Sequence, residues 1–179
     1  NLKNLQLQVF DLNNTLLSWT APTLRKPGAG AEDYSAILKS ETEGFNEIPL
    51  AVNAIDPNRI LLGGTERLYE SPDRGVTAEN VKPAAIQTGP SALAYGGWNS
   101  DGTPAMEVAY AAFGAQIWYR ETIAAGFVVA ALPPPGAKRI TDIVIDRTNG
   151  RVAYAVEDTH LYATVDGGRN WTVNAPATT

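Results

Sequence analysis

Short stretches of alternating apolar and polar residues recur along the chain. Residues 5–10, 141–146 and 151–156 alternate in this way and are rich in β-branched or aromatic side chains. Gly, Pro, Asn and Asp bound these stretches, as they commonly bound strands. The 12 prolines and 16 glycines leave few windows long enough for a helix. The pattern therefore predicts an all-β chain.

The predicted strands recur in a fixed order. Three tetrads begin at Leu68, Ile117 and Leu161, which are 49 and 44 positions apart, and each places an aromatic residue after an aliphatic one. Two further predicted strands precede each tetrad, and Val-Ala-Tyr-Ala occurs twice among them, at 108–111 and 152–155. Four antiparallel strands repeated about every 45 residues are typical of β-propeller blades, since stacked blades bury the faces that one sheet leaves open. The alternative is a sandwich whose strands happen to look alike.

A turn motif closes two of the three units. The pattern Ser/Thr-x-Asp-x-Gly-x-x-Trp is complete once, in Thr164, Asp166, Gly168 and Trp171. Its first half recurs in Ser71, Asp73 and Gly75. Ala78 stands where the second tryptophan would be, and residues 120–123 of the middle unit lack the pattern. We expect the Asp to bond the backbone of its own turn and the Trp to pack between sheets, because neither a phosphate loop nor an EF-hand fits these residues.

The complete motif resembles an Asp-box, also called a BNR repeat. Over about residues 48–173 the chain is similar to Asp-box propellers of large secreted bacterial proteins. Such boxes occur in sialidases, sortilin/Vps10 domains, xyloglucanase-like glycoside hydrolases and photosystem II assembly factors of the Ycf48 type. The resemblance implies a propeller fold, but enzymes and non-enzymes share it.

The repeats divide the chain into blades. We expect a degenerate or partial blade and a loop in 1–47, a blade with half an Asp-box in 48–90, a blade without one in 91–136, and a blade with the complete box in 137–179. Three to four blades are visible, whereas the resemblance implies six or more. Because an open arc would expose large apolar sheet faces, we expect another polypeptide or a missing part to complete a larger propeller.

Composition and charge exclude several classes of protein. The net charge of −5 and pI of about 4.9 argue against a nucleic-acid partner. Cysteine is absent, so disulfides and Cys-based zinc sites are excluded. No apolar run is long enough for membrane insertion. We expect no cofactor and no metal site.

Carboxylates are the candidate catalytic residues. Glycoside hydrolysis needs two of them across a cleft, and the weak candidates are Asp142, Asp101 and Glu107. Asp142 interrupts an apolar inner strand, and Asn53 is expected to occupy a similar place in the first unit. Polar lining of a central channel is the favoured explanation of Asp142.

Two further residues are candidates for binding or catalysis. Trp98 and Asp101 belong to a Gly-rich loop that could bind glycan or protein, although Trp98 could instead cap the core. His160, the single histidine, lies in a short turn and is expected to be a solvated loop residue.

The sequence thus favours a non-catalytic propeller module or structural subunit of an exported bacterial protein, which contacts protein or glycan and is extracellular or periplasmic. The first alternative is a glycoside hydrolase of the Asp-box type. The second is an assembly factor for a membrane complex, for which we would expect a basic patch.

Overall fold

The chain is organised as antiparallel β-sheets. A computed structural model describes residues 49–130, 134 and 136–173 in full, and the backbone of 7–10, 16–20 and 174. No helix occurs among these residues. The strands are β1 (Leu7–Phe10), β2 (Leu16–Thr20), β3 (Leu50–Val52), β4 (Ile60–Gly63), β5 (Leu68–Ser71), β6 (Glu79–Asn80), β7 (Ala92–Trp98), β8 (Pro104–Phe113), β9 (Gln116–Arg120), β10 (Val128–Val129), β11 (Asp142–Ile145), β12 (Ala153–Val156), β13 (Leu161–Thr164) and β14 (Thr172–Asn174).

Twelve of these strands form three four-stranded sheets, each in simple sequential order. Sheet A contains β3–β6, sheet B contains β7–β10 and sheet C contains β11–β14, and every neighbouring pair is antiparallel. Each sheet has the strand order of a propeller blade, so the prediction of repeated four-stranded blades is confirmed and the sandwich is excluded.

The remaining two strands lie near the start of the chain. β1 and β2 pair antiparallel, with Leu7 opposite Thr20. The rest of the predicted partial blade at 1–47 falls outside the described residues.

The connections define two ends of the sheets. The motif end carries the turns at 53–59, 72–78, 99–103, 121–127, 146–152 and 165–171. The linker end carries the connection between sheets A and B, at 81–91, and the ends of β10 and β11 that the next connection joins. The turns of the half motif, at 72–78, and of the complete motif, at 165–171, join the third and fourth strands of their sheets, so these motif turns lie on the outer part of the blade.

Sheet B is packed on both faces. One face contributes Leu93, Tyr95, Ala109 and Ala111 to a core shared with sheet A. The other contributes Ala94, Tyr110, Ala112 and Ile117 to a core shared with sheet C. Strand alternation explains this division, because successive side chains of β8 point to opposite faces. In the repeated Val-Ala-Tyr-Ala of β8, the small alanines face sheet A and the tyrosine faces sheet C.

Candidate functional site

The complete motif forms a closed turn at the outer edge of sheet C. The Thr164 hydroxyl donates to Asp166 Oδ1 at 2.9 Å and accepts the Gly168 N–H at 3.1 Å. Asp166 also accepts the backbone and side-chain N–H groups of Asn170, at 3.0 and 2.7 Å. Burial would raise the pKa of Asp166, but these hydrogen bonds outweigh it and lower the pKa, so the turn stabilises its charged form.

The half motif in sheet A makes the same turn. Ser71 and Gly75 reproduce the Thr164 and Gly168 contacts, at 3.0 and 2.7 Å, and Asp73 accepts the backbone and side chain of Thr77 at 2.7 Å each. Arg74 has a φ of 61°, where the complete motif has a glycine with a φ of 76°. The tryptophan is therefore not needed to form the turn.

Trp171 packs between sheets B and C. It is 6% exposed and meets the Tyr110 ring edge-on, with centroids 6.2 Å apart. Its indole N–H has no hydrogen-bond partner in the described part of the chain. Trp171 therefore stabilises the interface by packing, which agrees with a structural role for this turn.

A buried ionic cluster joins sheets A and B. Glu70 of β5 accepts hydrogen bonds from Arg120 of β9, at 2.5 and 3.1 Å, and from the Tyr95 hydroxyl of β7. Arg59 lies 3.3 Å from the same carboxylate. Burial would raise the pKa of Glu70, but the hydrogen bonds from Arg120 and Tyr95 and the charge of Arg120 hold it below its ordinary value. The carboxylate is therefore ionised and holds two blades together.

An open groove separates sheets B and C at the motif end. Its volume is about 420 Å³, which lies within the range of ordinary ligand pockets. This B–C groove is lined by Asn99, Pro104, Ala105, Met106, Glu107, Val108, Glu121, Thr122 and Arg151. Apolar side chains of β8 form one wall, and charged side chains from both sheets lie at its edges.

Charges at the groove connect the two sheets. Glu121 Oε1 lies 3.1 Å from Arg169 Nη1 and 3.9 Å from Arg151 Nη2. The oxygen has no aligned hydrogen bond among the described residues, so these contacts are ion pairs. Glu107 Oε2 accepts the Ile123 N–H at 2.8 Å, which fixes the other carboxylate of the groove.

The structure places the predicted binding residues next to this groove. Trp98 is 41% exposed and lies opposite Pro104 in the β7–β8 register, so it is not buried as a cap on the core. Asp101 is exposed in the adjoining loop, where hydrogen bonds from the Thr103 hydroxyl and N–H lower its pKa.

The candidate catalytic carboxylates are not all brought together. Asp101 and Glu107 lie at the motif end, whereas Asp142 begins β11 at the linker end. The start of β7 lies beside the residues just before β11, because the Ser91 hydroxyl donates to Ile140 O at 2.7 Å. Asp142 and Asp101 therefore cannot act across one cleft. Asn53 does not match Asp142 either, because it follows the last residue of β3 and is buried.

The single histidine is held within its own turn. His160 Nδ1 lies 2.5 Å from Glu157 Oε1, and the Thr159 hydroxyl is 2.7 Å from the same ring nitrogen. Within the described ranges, no group of three or more His, Cys, Asp or Glu side chains could hold a metal ion. The same residues include no helix that is long and apolar enough to cross a membrane.

Comparison with known proteins identifies the fold. No protein-family model and no curated protein matches this sequence. An ancestral GH74 enzyme matches 74% of the chain with a TM-score of 0.58 and 16% identity. YCF48 bound to D1 peptide matches 70% with a TM-score of 0.54 and 16% identity, and the GH74 xyloglucanase from Xanthomonas campestris matches 73% with a TM-score of 0.53 and 20% identity. The chain has a β-propeller fold.

The matches cover only part of the known structures. The chain spans 19% of the ancestral GH74 enzyme, 23% of the xyloglucanase and 40% of YCF48. At these identities the likeness shows the fold alone.

Sequence reasoning missed most of the groove. Met106 lies in β8, Glu121 in the β9–β10 turn and Arg151 in the β11–β12 turn, and no spacing along the chain links them. Only Trp98, Asp101 and Glu107, each considered as a single residue, pointed to this region.

Proposed function

We propose that the chain is a non-catalytic binding module of an exported bacterial protein and that the B–C groove holds a polypeptide segment. The observation that carries the proposal is the groove itself, in which an apolar wall lies beside charges of both signs. An extended segment can place an apolar side chain on that wall and charged neighbours at the edges.

Met106 favours a polypeptide ligand. It is 41% exposed on the groove wall, and methionine adapts to different apolar partners because it is flexible and polarisable. YCF48, a structural neighbour of this chain, has been solved bound to D1 peptide, so a propeller of this kind accepts a polypeptide. The same mode of binding would serve an assembly factor for a membrane complex. Export rests on the similarity to secreted Asp-box propellers.

Glycan is the second candidate ligand. Trp98 is an exposed aromatic side chain beside the groove, and Glu107 and Glu121 both line it. A glycoside hydrolase would need two such carboxylates, and the GH74 enzymes are structural neighbours.

A phage-displayed dodecapeptide library, panned on the immobilised chain, tests the first proposal. Selected peptides are titrated by fluorescence polarisation against the wild type, Met106→Glu and Val165→Glu. We expect Met106→Glu to weaken binding at least tenfold, about 1.4 kcal/mol. Val165→Glu is the matched control, because Val165 is 76% exposed at the same end of the sheets but does not line the groove.

Xyloglucan oligosaccharides test the alternative. Binding of these sugars that depends on Trp98, with release of reducing ends that Glu107→Gln abolishes, would establish the hydrolase instead. Peptides that bind Met106→Glu as tightly as the wild type would have their site elsewhere. That result would refute the proposal that the B–C groove binds a polypeptide.

A further inference from the structure

Equivalent positions in the three sheets differ sharply in burial. On each sheet, the first three strands contribute one residue each to a diagonal row on the face that follows along the chain. The first two residues of a row are opposite each other in the register, and the third lies on the same face, two positions before the register partner of the second. These rows are Ala51, Leu61 and Leu68 in sheet A, Ala94, Tyr110 and Ile117 in sheet B, and Val144, Tyr154 and Leu161 in sheet C. The first two rows are at most 9% exposed, whereas the third is 57%, 39% and 39% exposed.

In sheets A and B, these rows are covered by the next sheet. Leu61 and Leu68 share a core with Leu93 of sheet B, and Tyr110 and Ile117 share one with residues of sheet C. The exposed row of sheet C, together with Val156 and Ala163 on the same face, is therefore the position that a following sheet would occupy. We call it the C face.

The two copies of Val-Ala-Tyr-Ala show which contacts a following sheet must make with the tyrosine. Tyr110 is 1% exposed, donates its hydroxyl to Gly150 O at 2.9 Å and meets Trp171 edge-on. A Cβ added to Gly168 would lie 2.8 Å from the Tyr110 ring, so this tyrosine needs a glycine opposite it. Tyr154 has the same place in the sequence repeat and in the register of its sheet, yet it is 39% exposed.

The faces of sheets B and C that pack against the preceding sheet have the same arrangement of residues. Each offers an aliphatic residue on its first strand and two alanines on its second. In sheet B these are Leu93, Ala109 and Ala111, and in sheet C they are Ile143, Ala153 and Ala155. Small side chains on the second strand let the two backbones approach closely.

We propose that the C face is the docking surface of a further four-stranded propeller blade built like sheet C. That blade would present two alanines to Tyr154, a backbone carbonyl of its first turn to the Tyr154 hydroxyl, and a glycine-tryptophan motif turn against the ring. The corresponding face of sheet A in a second copy fits less well, because its Leu62 and Tyr69 are 6% and 1% exposed and so are already covered.

An extended chain tests the proposal directly. A second copy of residues 130–174 is placed after Asn174, so that the connection repeats the one between β10 and β11. The 179-residue chain and the extended chain are compared by urea unfolding, each with and without Tyr154→Ala, and their masses are measured by light scattering.

We expect both chains to be monomers and the substitution to act differently in them. In the extended chain, Tyr154→Ala should lower the folding equilibrium constant by about a hundredfold or more, as truncation of a large buried side chain does. In the 179-residue chain the change should be below about threefold, as at exposed sites. The same substitution in the appended copy is the matched control, because no further blade covers its tyrosine. It should change the folding equilibrium constant by less than about threefold.

Two results would overturn the proposal. One is an equal effect of Tyr154→Ala in both chains, which would mean that the appended blade does not cover the C face. The other is a dimer of the 179-residue chain that Tyr154→Ala dissociates, which would make a second copy the occupant.

Discussion

The residues that join neighbouring sheets are of two chemical kinds. Glu70 and Arg120 join sheets A and B through a buried ion pair, whereas Tyr110 and Trp171 join sheets B and C through aromatic packing. Removing one partner of a buried pair leaves a charge without compensation, which costs more than the intact pair contributes. The first interface should therefore be the more sensitive to pH.

The pH dependence of stability follows from the lowered pKa of Glu70. A carboxyl whose pKa is lower in the folded than in the unfolded state stabilises the fold above the unfolded value, near 4.5, and that stability is lost as pH falls through the folded value. Urea unfolding at pH 7, 4.5 and 3 should thus show a falling free energy of unfolding. Glu70→Gln should cost about 3–5 kcal/mol at pH 7 and flatten the decline below pH 4.5.

Glu79 supplies the matched control for Glu70. It lies directly opposite Glu70 in the β5–β6 register, but it is exposed. Glu79→Gln should change the free energy of unfolding by no more than about 0.5 kcal/mol at pH 7. Equal pH profiles for the two variants would show that the buried pair does not govern acid stability.

The sequence predicted residues that recur and missed residues that do not. Asp166 and Asp73 were found because each stands at a fixed distance from a hydroxyl and a glycine. Glu70 and Arg120 are 50 positions apart, and the usual expectation for both residue types is exposure. Their spacing along the chain therefore does not predict the ion pair.

At the scale of elements, turns rather than strands determine where the chain reverses. Residues 50–56 are one of the predicted strands that precede the first tetrad, yet β3 ends at Val52. The reason is Asn53, whose Oδ1 accepts the N–H groups of Ile55 and Asp56 at 2.9 and 3.0 Å and bends the backbone away from the sheet. Side-chain bonds of this kind end a strand inside an apolar stretch and are hard to foresee from a sequence.

The motif turn should tolerate no side chain at Gly168. Its φ of 80° is strained for alanine, and an added Cβ would lie 2.8 Å from Tyr110 Cε1 and 2.9 Å from Tyr119 Cβ. We expect Gly168→Ala to reduce the free energy of unfolding by on the order of 3 kcal/mol, from backbone strain and overpacking together. Urea or thermal unfolding measures the change.

Gly102 separates the two causes. It has a φ of 81°, but an added Cβ would meet nothing within 4 Å. Gly102→Ala should therefore cost only the backbone term, about 1–2 kcal/mol. Similar losses for both variants would mean that Gly168 is required for its dihedral angle alone and not for the approach of Tyr110.

At the scale of the whole molecule, the described sheets form an arc in which sheet B alone has described sheets on both sides. Repeat spacing predicted the blades and their order, because each blade repeats one pattern of strands and turns. The B–C groove was not predicted, since its lining combines strand β8 with turns from two blades whose relative placement depends on packing. The number of blades in a closed ring is likewise a property of packing that one repeat does not encode.

Protection from hydrogen exchange should decline from sheet B to sheet C. The identical stretches Val-Ala-Tyr-Ala at 108–111 and 152–155 provide an internal comparison, because intrinsic exchange rates depend mainly on local sequence. In β8 the stretch lies in a sheet packed on both faces, whereas in β12 its tyrosine lies on the exposed C face. Regions with fewer buried contacts open at lower free energy.

Amides of 108–111 should therefore exchange at least about tenfold more slowly than those of 152–155, a difference of about 1.4 kcal/mol, measured by mass spectrometry or NMR. Equal protection would mean that the three sheets open together as one cooperative unit, and that the exposed face of sheet C does not weaken its blade.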